Sequence, residues 1–178
     1  MIATLETSRL LLRGVQPADA PSLQRHFNDY EVIRWLSHHV PWPYPPNGVA
    51  WFIKSILPAQ GHARWVWAIC LKSRPDEAIG IIELRAGEGC NRGFWLGRAF
   101  WGQGIMSEAE RAVTAHAFMV LGFERLRLDN ARGNARSRRV KEKAGATLRY
   151  VEPARFVDPA LYEQEVWELT FTAWRRRQ

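Results

Sequence analysis

The segment Trp101-Gly102-Gln103-Gly104-Ile105-Met106-Ser107 runs straight into the longest amphipathic helical pattern in the chain. A glycine-rich turn that feeds a helix start gathers backbone N–H groups with no intrahelical partner at the positive end of the aligned peptide dipoles. Such a turn makes a socket for a phosphate or pyrophosphate. Between Gly93 and Gly145 the pattern reads strand, glycine loop, helix, strand and asparagine-capped helix. Any fold for this chain must therefore set that loop at the end of a strand.

The flanks are antiparallel in pattern. Arg9–Val15 reads as an opening strand, and Pro17 sits in the first turn of a helix to about Asn28, where its missing N–H does no harm. Glu31–Leu36 is a short helical piece. Ser37–Gly48 then carries four prolines and two aromatics, which excludes regular structure. A loop of that length in a compact domain points to function, and its aromatics argue against disorder. Val49–Gln60 is a helix with Asn47 as cap. Arg64–Lys72 and Ala78–Arg85 form a hairpin around a turn at Ser73–Glu77, and Arg92–Ala99 is a third strand. The helix after the loop stops at Gly122, Glu124–Asn130 alternates as a strand, and Asn134–Ala144 is a helix ended by Gly145. Thr147–Val157 and Glu163–Phe171 close the chain. The fold class is α/β: a single domain over residues 1–178, with a mixed, mostly antiparallel sheet of about seven strands and about four helices.

The net charge of +7 favours anionic partners, namely a nucleotide cofactor, RNA or an acidic protein face. No stretch approaches the roughly 20 apolar residues of a membrane span. The first residues lack the pattern of a signal peptide. Cys70 and Cys90 stand without ligand spacing and read as reduced thiols, which fits a cytoplasmic location. His38 and His39 lack a third ligand, so no metal is expected.

Three nucleotide templates compete for the loop. The dinucleotide fingerprint fails because Ser107 holds the place of its third glycine, and the Walker loop fails because no Gly-Lys-Ser/Thr is present. The third is acyl-CoA. The stretches LGRAFWGQGIMSEA and LGFERLRLDNARGNARSRRVKEKAGA resemble the GNAT superfamily of N-acetyltransferases, in particular its RimJ/RimL-like branch of ribosomal-protein N-terminal acetyltransferases. The opening ETSRLLLR and the proline loop match that branch as well. In the superfamily's Q/R-x-x-G-x-G/A signature, Trp101 takes the first position, Gly104 the fourth and Met106 the sixth. Only the fourth matches strictly, and the backbone N–H groups of Gln103–Ser107 would still carry phosphate binding.

The resemblance implies acetyl-CoA as acyl donor, with no metal, held by Leu96, Gly97, Arg98, Trp101, Gly102, Gln103, Gly104, Ile105, Met106, Ser107 and Asn134. It implies a sheet splayed at its centre, where pantetheine amides pair with the edge at Trp95–Ala99, across a gap from Asp129–Ala131. Ser107 is read as a phosphate contact or a helix cap, and Asn134 as a CoA contact, a cap or both. Arg136, Arg138 and Arg139 can meet the adenosine 3′-phosphate or sit in solvent.

Amine attack on a thioester needs a deprotonated amine, a polarised carbonyl and a protonated leaving sulfur. Many family members supply the last proton from a tyrosine on the final helix, and NARSRRVKEKAG has none. Ser137 takes that place, as proton donor or by orienting a water or the sulfur. Glu83 is the candidate base, because burial in its apolar strand would raise its pKa; its alternative is a solvent-facing residue. Glu152 is a second candidate base. His38, His39, Trp42 and Tyr44 are expected to line the acceptor pocket. The expected function is acetyl transfer to a primary amine by direct attack in a ternary complex, with a protein N-terminus favoured. The alternatives are a polyamine, amino acid or antibiotic acceptor, or a non-catalytic acyl-CoA- or RNA-binding module. Nucleic acid is the less expected partner, and a homodimer through the closing strands or the C-terminal tail is compatible with the sequence.

Overall fold

A computed structural model describes residues 2–178. Among them one sheet of eight strands runs in the order β1-β2-β3-β4-β5-β6-β8-β7. The strands are β1 Leu5–Glu6, β2 Leu10–Gly14, β3 Arg64–Leu71, β4 Arg74–Arg85, β5 Arg92–Leu96, β6 Arg125–Ala131, β7 Thr147–Pro153 and β8 Glu163–Thr170. Six helices flank it: α1 Ala20–Phe27, α2 Tyr30–Ile33, α3 Gly48–Ile56, α4 Ile105–Met119, α5 Ala135–Ala144 and α6 Phe171–Arg175.

The period of two along the strands sorts side chains between two cores. From β3, Trp67 and Ile69 join β2, α4 and α6 on one face. Val66, Ala68 and Cys70 point to the other, against Leu23 and Phe27 of α1 and Ile53 and Ile56 of α3. The result is three layers with a mixed sheet between helices. The expected fold class holds, with one more strand and two more helices than the sequence suggests.

Every strand pair is antiparallel except β5 with β6. These two run parallel and share a single register pair, Arg92 with Leu128. Just before it, the Asn91 N–H donates to the Arg127 carbonyl, and the Arg127 N–H donates to Asn91 Oδ1. Beyond it the strands part. The splay is held from behind by a buried ion pair, Arg92 with Glu110 of α4, which Thr114 completes.

β5 ends earlier than expected. Arg98–Phe100 form a 3₁₀ turn, so the exposed strand edge runs to Leu96 and not to Ala99. Gly97 still donates to the Ile79 carbonyl, and a Cβ there would come 3.0 Å from the His26 ring, a tight approach. The proline loop is bound on both sides. The His38 N–H donates to the Arg155 carbonyl, Val157 N–H to Leu36, and Arg34 pairs with Asp158. Tyr44 packs edge-on against Phe27 and lies under Gly48 at the start of α3. Asn47 takes the cap position of α3, but Gln24 of α1 accepts from Val49 N–H in its stead.

Candidate active site

The split between β5 and β6 opens into a cavity of about 790 Å³. One end is walled by Trp101, Gly102, Gly104, Ile105, Met106 and Ser107, the middle by Phe94–Leu96 and Asp129, Asn130, Asn134 and Ser137, and the other end by Leu36, Tyr44, Phe52 and Phe156.

The loop is built by backbone conformation. Gly102 and Gly104 take φ of +76° and +74°, and Gly104 is the N-cap of α4 without a capping side chain. Among the described residues no acceptor takes the N–H of Gly102 to Ser107. Ser107, the third residue of α4, is not its cap, and it lines the cavity. The outer side of the loop is tethered. Arg9 donates to the Gln103 carbonyl at 3.0 Å and pairs with Glu108 at 2.7 Å. Burial disfavours the Glu108 anion, but hydrogen bonds from Thr7, the Arg9 backbone and side chain, and Ser8 outweigh it and bring the carboxyl down to about 2. Trp101 Nε1 donates to the Leu96 carbonyl, and the Arg136 guanidinium lies 4.0 Å from the centre of its ring, tying the start of α5 to the loop.

Of the expected donor-holding residues, Leu96, Trp101, Gly102, Gly104, Ile105, Met106, Ser107 and Asn134 line the cavity. Gly97, Arg98 and Gln103 do not. Arg98 is exposed near Asp29, and the Gln103 side chain folds back onto the Ala99 carbonyl. Asn134 Oδ1 caps α5 by accepting from Ser137 N–H at 3.1 Å, while the residue also faces the cavity. Arg136 and Arg139 reach the same wall with Lys143, whereas Arg138 turns away to Glu142 and Glu165.

Glu83 is 8% exposed and lines the cavity, on the face of β4 that carries Ile81. It is not solvent-facing. Its carboxylate lies 2.6 Å from Arg64 and 3.6 Å from Arg85. Across the sheet, a Cβ on Gly93 would come 2.7 Å from Glu83 Oε1, so glycine keeps that carboxylate in place. Glu152 lies on β7 outside the cavity and accepts from Gln164. His38 and Tyr44, expected at the acceptor, stand in the wall at the far end of the cavity. His39 stacks on His38, and Trp42 packs against Tyr30, both outside that wall.

Two features escape the sequence reading. Cys90 enters the cavity wall, with its thiol pushed up to about 11 chiefly by burial. Lys141, in the charged run RRVKEK, is 1% exposed and donates to Ser137 Oγ at 2.8 Å. Among the described residues no cluster of three His, Cys, Asp or Glu side chains is placed to hold a metal ion, and no helix is long and apolar enough to cross a membrane.

The model of the Acetyltransferase (GNAT) domain matches residues 9–147. The chain belongs to the GNAT acetyltransferases. It is an acyl-CoA-dependent N-acetyltransferase, and its splayed sheet is the family's architecture. No curated protein matches the chain. Among solved structures, a T. thermophilus protein assigned as an acetyltransferase is 28% identical, with a TM-score of 0.79 over 99% of this chain and 93% of that one. RimL, a ribosomal L7/L12 alpha-N-protein acetyltransferase solved with coenzyme A, is 19% identical, with a TM-score of 0.80 over 96% and 99%. The microcin C7 self-immunity acetyltransferase MccE, solved with acetyl-CoA and AMP, is 18% identical, with a TM-score of 0.75 over 93% and 94%. These last two likenesses concern the fold.

Proposed function

We propose that this acetyltransferase binds acetyl-CoA across the split between β5 and β6 and transfers its acetyl group to a primary amine, with a protein N-terminus as the favoured acceptor. The observation that carries this reading is the continuity of one cavity. It joins the unclaimed N–H groups of Gly102 and of Gly104 to Ser107, a strand edge freed after one parallel pair, and Ser137 to an aromatic far end. Among the described residues Asn130 Oδ1 is buried there without a partner, a polar atom that suits an amide-bearing ligand.

Bound acetyl-CoA supplies an acetyl group activated as a thioester. The N–H groups of Gln103–Ser107 are suited to the pyrophosphate, and Arg136, Arg139 and Lys143 to the 3′-phosphate. Phe94–Leu96 offer backbone for the pantetheine amides by strand addition. Ser137 faces the thioester position, and Glu83, acting through water, takes the amine's proton. His38 and Tyr44 border the acceptor end. Holding both substrates in one cavity supplies much of the acceleration, which lets a weak base suffice. The RimL likeness supports the N-terminal acceptor, and the MccE likeness keeps a small-molecule amine as the second reading.

The test is release of free CoA from acetyl-CoA with a panel of amines: peptides beginning with Ser, Ala or Met, a polyamine, free amino acids and an aminoglycoside. Peptides are expected to be fastest, and the same peptides blocked at the α-amine to be inert. Fastest release with a small amine would move the assignment to the second reading, and tight acetyl-CoA binding with no release from any amine would contradict transfer.

A further inference from the structure

Lys141, a lysine only 1% exposed, is costly to explain by packing alone. A buried ammonium loses hydration that only good partners restore, and a hydrophobic residue of similar volume is usually at least as stable there. Its neighbours Glu142 and Lys143 on α5 lie toward solvent, and Lys141 points inward, one turn below Ser137. The ammonium has three donors and no acceptor. One donor goes to Ser137 Oγ at 2.8 Å, and among the described residues no carboxylate forms an ion pair with it. The Phe94 ring lies 5.4 Å away.

The charged and titratable groups around it come from each neighbouring element. Arg92 lies on β5, already paired with Glu110 of α4. Asp129 lies on β6, Glu165 on β8, and Cys90 in the turn before β5. Glu165 is engaged by Asn130 and Arg138. Ser137 lines the cavity, and Lys141 lies behind it. Because the ammonium can only donate, Ser137 Oγ must accept from it, and the serine O–H is left to aim elsewhere. The open direction is the cavity.

We propose that Lys141 is a positioning residue that fixes Ser137 as a donor toward the cavity and resupplies its proton, so that the lysine–serine pair serves the leaving sulfur. This inference rests on the acetyl-transfer reading above. When the C–S bond breaks, its electron pair stays on sulfur. Sulfur takes the Ser137 hydroxyl proton, Ser137 Oγ takes one from Lys141 Nζ, and Lys141 is left as a neutral amine. The amine substrate's proton leaves on the Glu83 side, and solvent entering with product release recharges Lys141 through Ser137. Burial, aided by the Arg92 charge and offset in part by Asp129, brings the Lys141 ammonium down from 10.5 to about 7, so both forms are accessible near neutrality.

The deciding experiment compares wild type with K141M, S137A and the double variant, using acetyl-CoA and the fastest amine of the panel. K141M is expected to lower kcat about tenfold to a hundredfold with KM for acetyl-CoA unchanged. Wild-type kcat is expected to fall as pH rises beyond about 7, and K141M is expected to lack that fall. The double variant should be no slower than S137A alone, because the lysine acts only through the serine. A readout independent of activity is urea unfolding across pH. The folded pKa lies below the unfolded one, so the unfolded chain binds more protons between about 7 and 10.5. Wild-type stability should therefore rise relative to K141M as pH increases through that window. If K141M does not fold, K141Q decides, since it can still donate to Ser137 but has no proton to titrate. An active wild type whose K141M or K141Q variant keeps its kcat and falling limb overturns this inference alone. A double variant with multiplied losses also overturns it. A wild type that releases no CoA from any amine overturns the transfer reading and this inference with it.

Discussion

Gly104 holds a backbone conformation that only glycine adopts cheaply, with φ at +74° at the cap of α4 and a Cβ position facing open space near Arg9. Gly104→Ala is expected to cost about 1–2 kcal/mol through that conformation and to weaken acetyl-CoA binding roughly tenfold, because the strain is relieved by moving the N–H groups of the loop. Gly122→Ala is the control, since its φ of +73° and open surroundings match while it lies outside the cavity wall. Thermal unfolding should fall in both variants, and calorimetric affinity for acetyl-CoA in Gly104→Ala alone. Gly104 and Asn134 were legible in the sequence as loop and cap because those positions follow from local spacing: a cap precedes its helix, and a glycine turn precedes a helix start; Ser137 was singled out only through the family resemblance. Lys141 was not legible, because one lysine in RRVKEK looks like its neighbours until the helix is set against β5 and β6. Its i, i+4 spacing from Ser137 and its place beside Val140 on the buried face were the available signals. The same limit applied to the proline loop, where Tyr44 reaches the cavity and Trp42 does not.

At the scale of elements, α4 is set in place by a tether to the chain's beginning. Thr7, Ser8 and Arg9 all converge on Glu108 in the first turn of α4, where a carboxylate also suits the dipole. The folded-state pKa of Glu108 falls from 4.5 to about 2, so its stabilisation is complete above 4.5 and is lost as pH drops through that interval. Urea midpoints should accordingly show Glu108→Gln less stable than wild type at neutral pH, with the gap closing as the pH approaches about 2. A gap that stays constant with pH would mean that the tether works through shape and not through charge. Helix and strand periodicity in the sequence found most elements to within a few residues. The misses have physical causes. β4 begins at Arg74 because the polar run Arg74–Glu77 still pairs with β3 through a register shift. α6 reads as the end of a strand and a basic tail, yet Thr170 Oγ1 caps it and Phe171 and Trp174 pack on Phe118.

On the scale of the whole molecule, the three layers exist to hold one sheet open. The parting of β5 and β6 depends on Asn91 bridging to Arg127 and on the buried Arg92–Glu110 pair, and neither long-range contact can be read from strand periodicity. The resemblance to the family implied a splay, and the register supplies its position after Arg92 and Leu128. The positive charge of the chain gathers in part on the cavity, through Arg136, Arg139 and Lys143, which suits an anionic donor. The far end of the cavity was the least legible part, because its wall is assembled from α2, the proline loop, β4 and the segment after β7. Amide hydrogen exchange with and without acetyl-CoA tests the account most directly. Protection is predicted in the loop 101–107, along 94–96 and across 129–137, with the β7 amides unchanged. Binding of acetyl-CoA that leaves 101–107 and 94–96 unprotected, or protects β7 in their place, would contradict it.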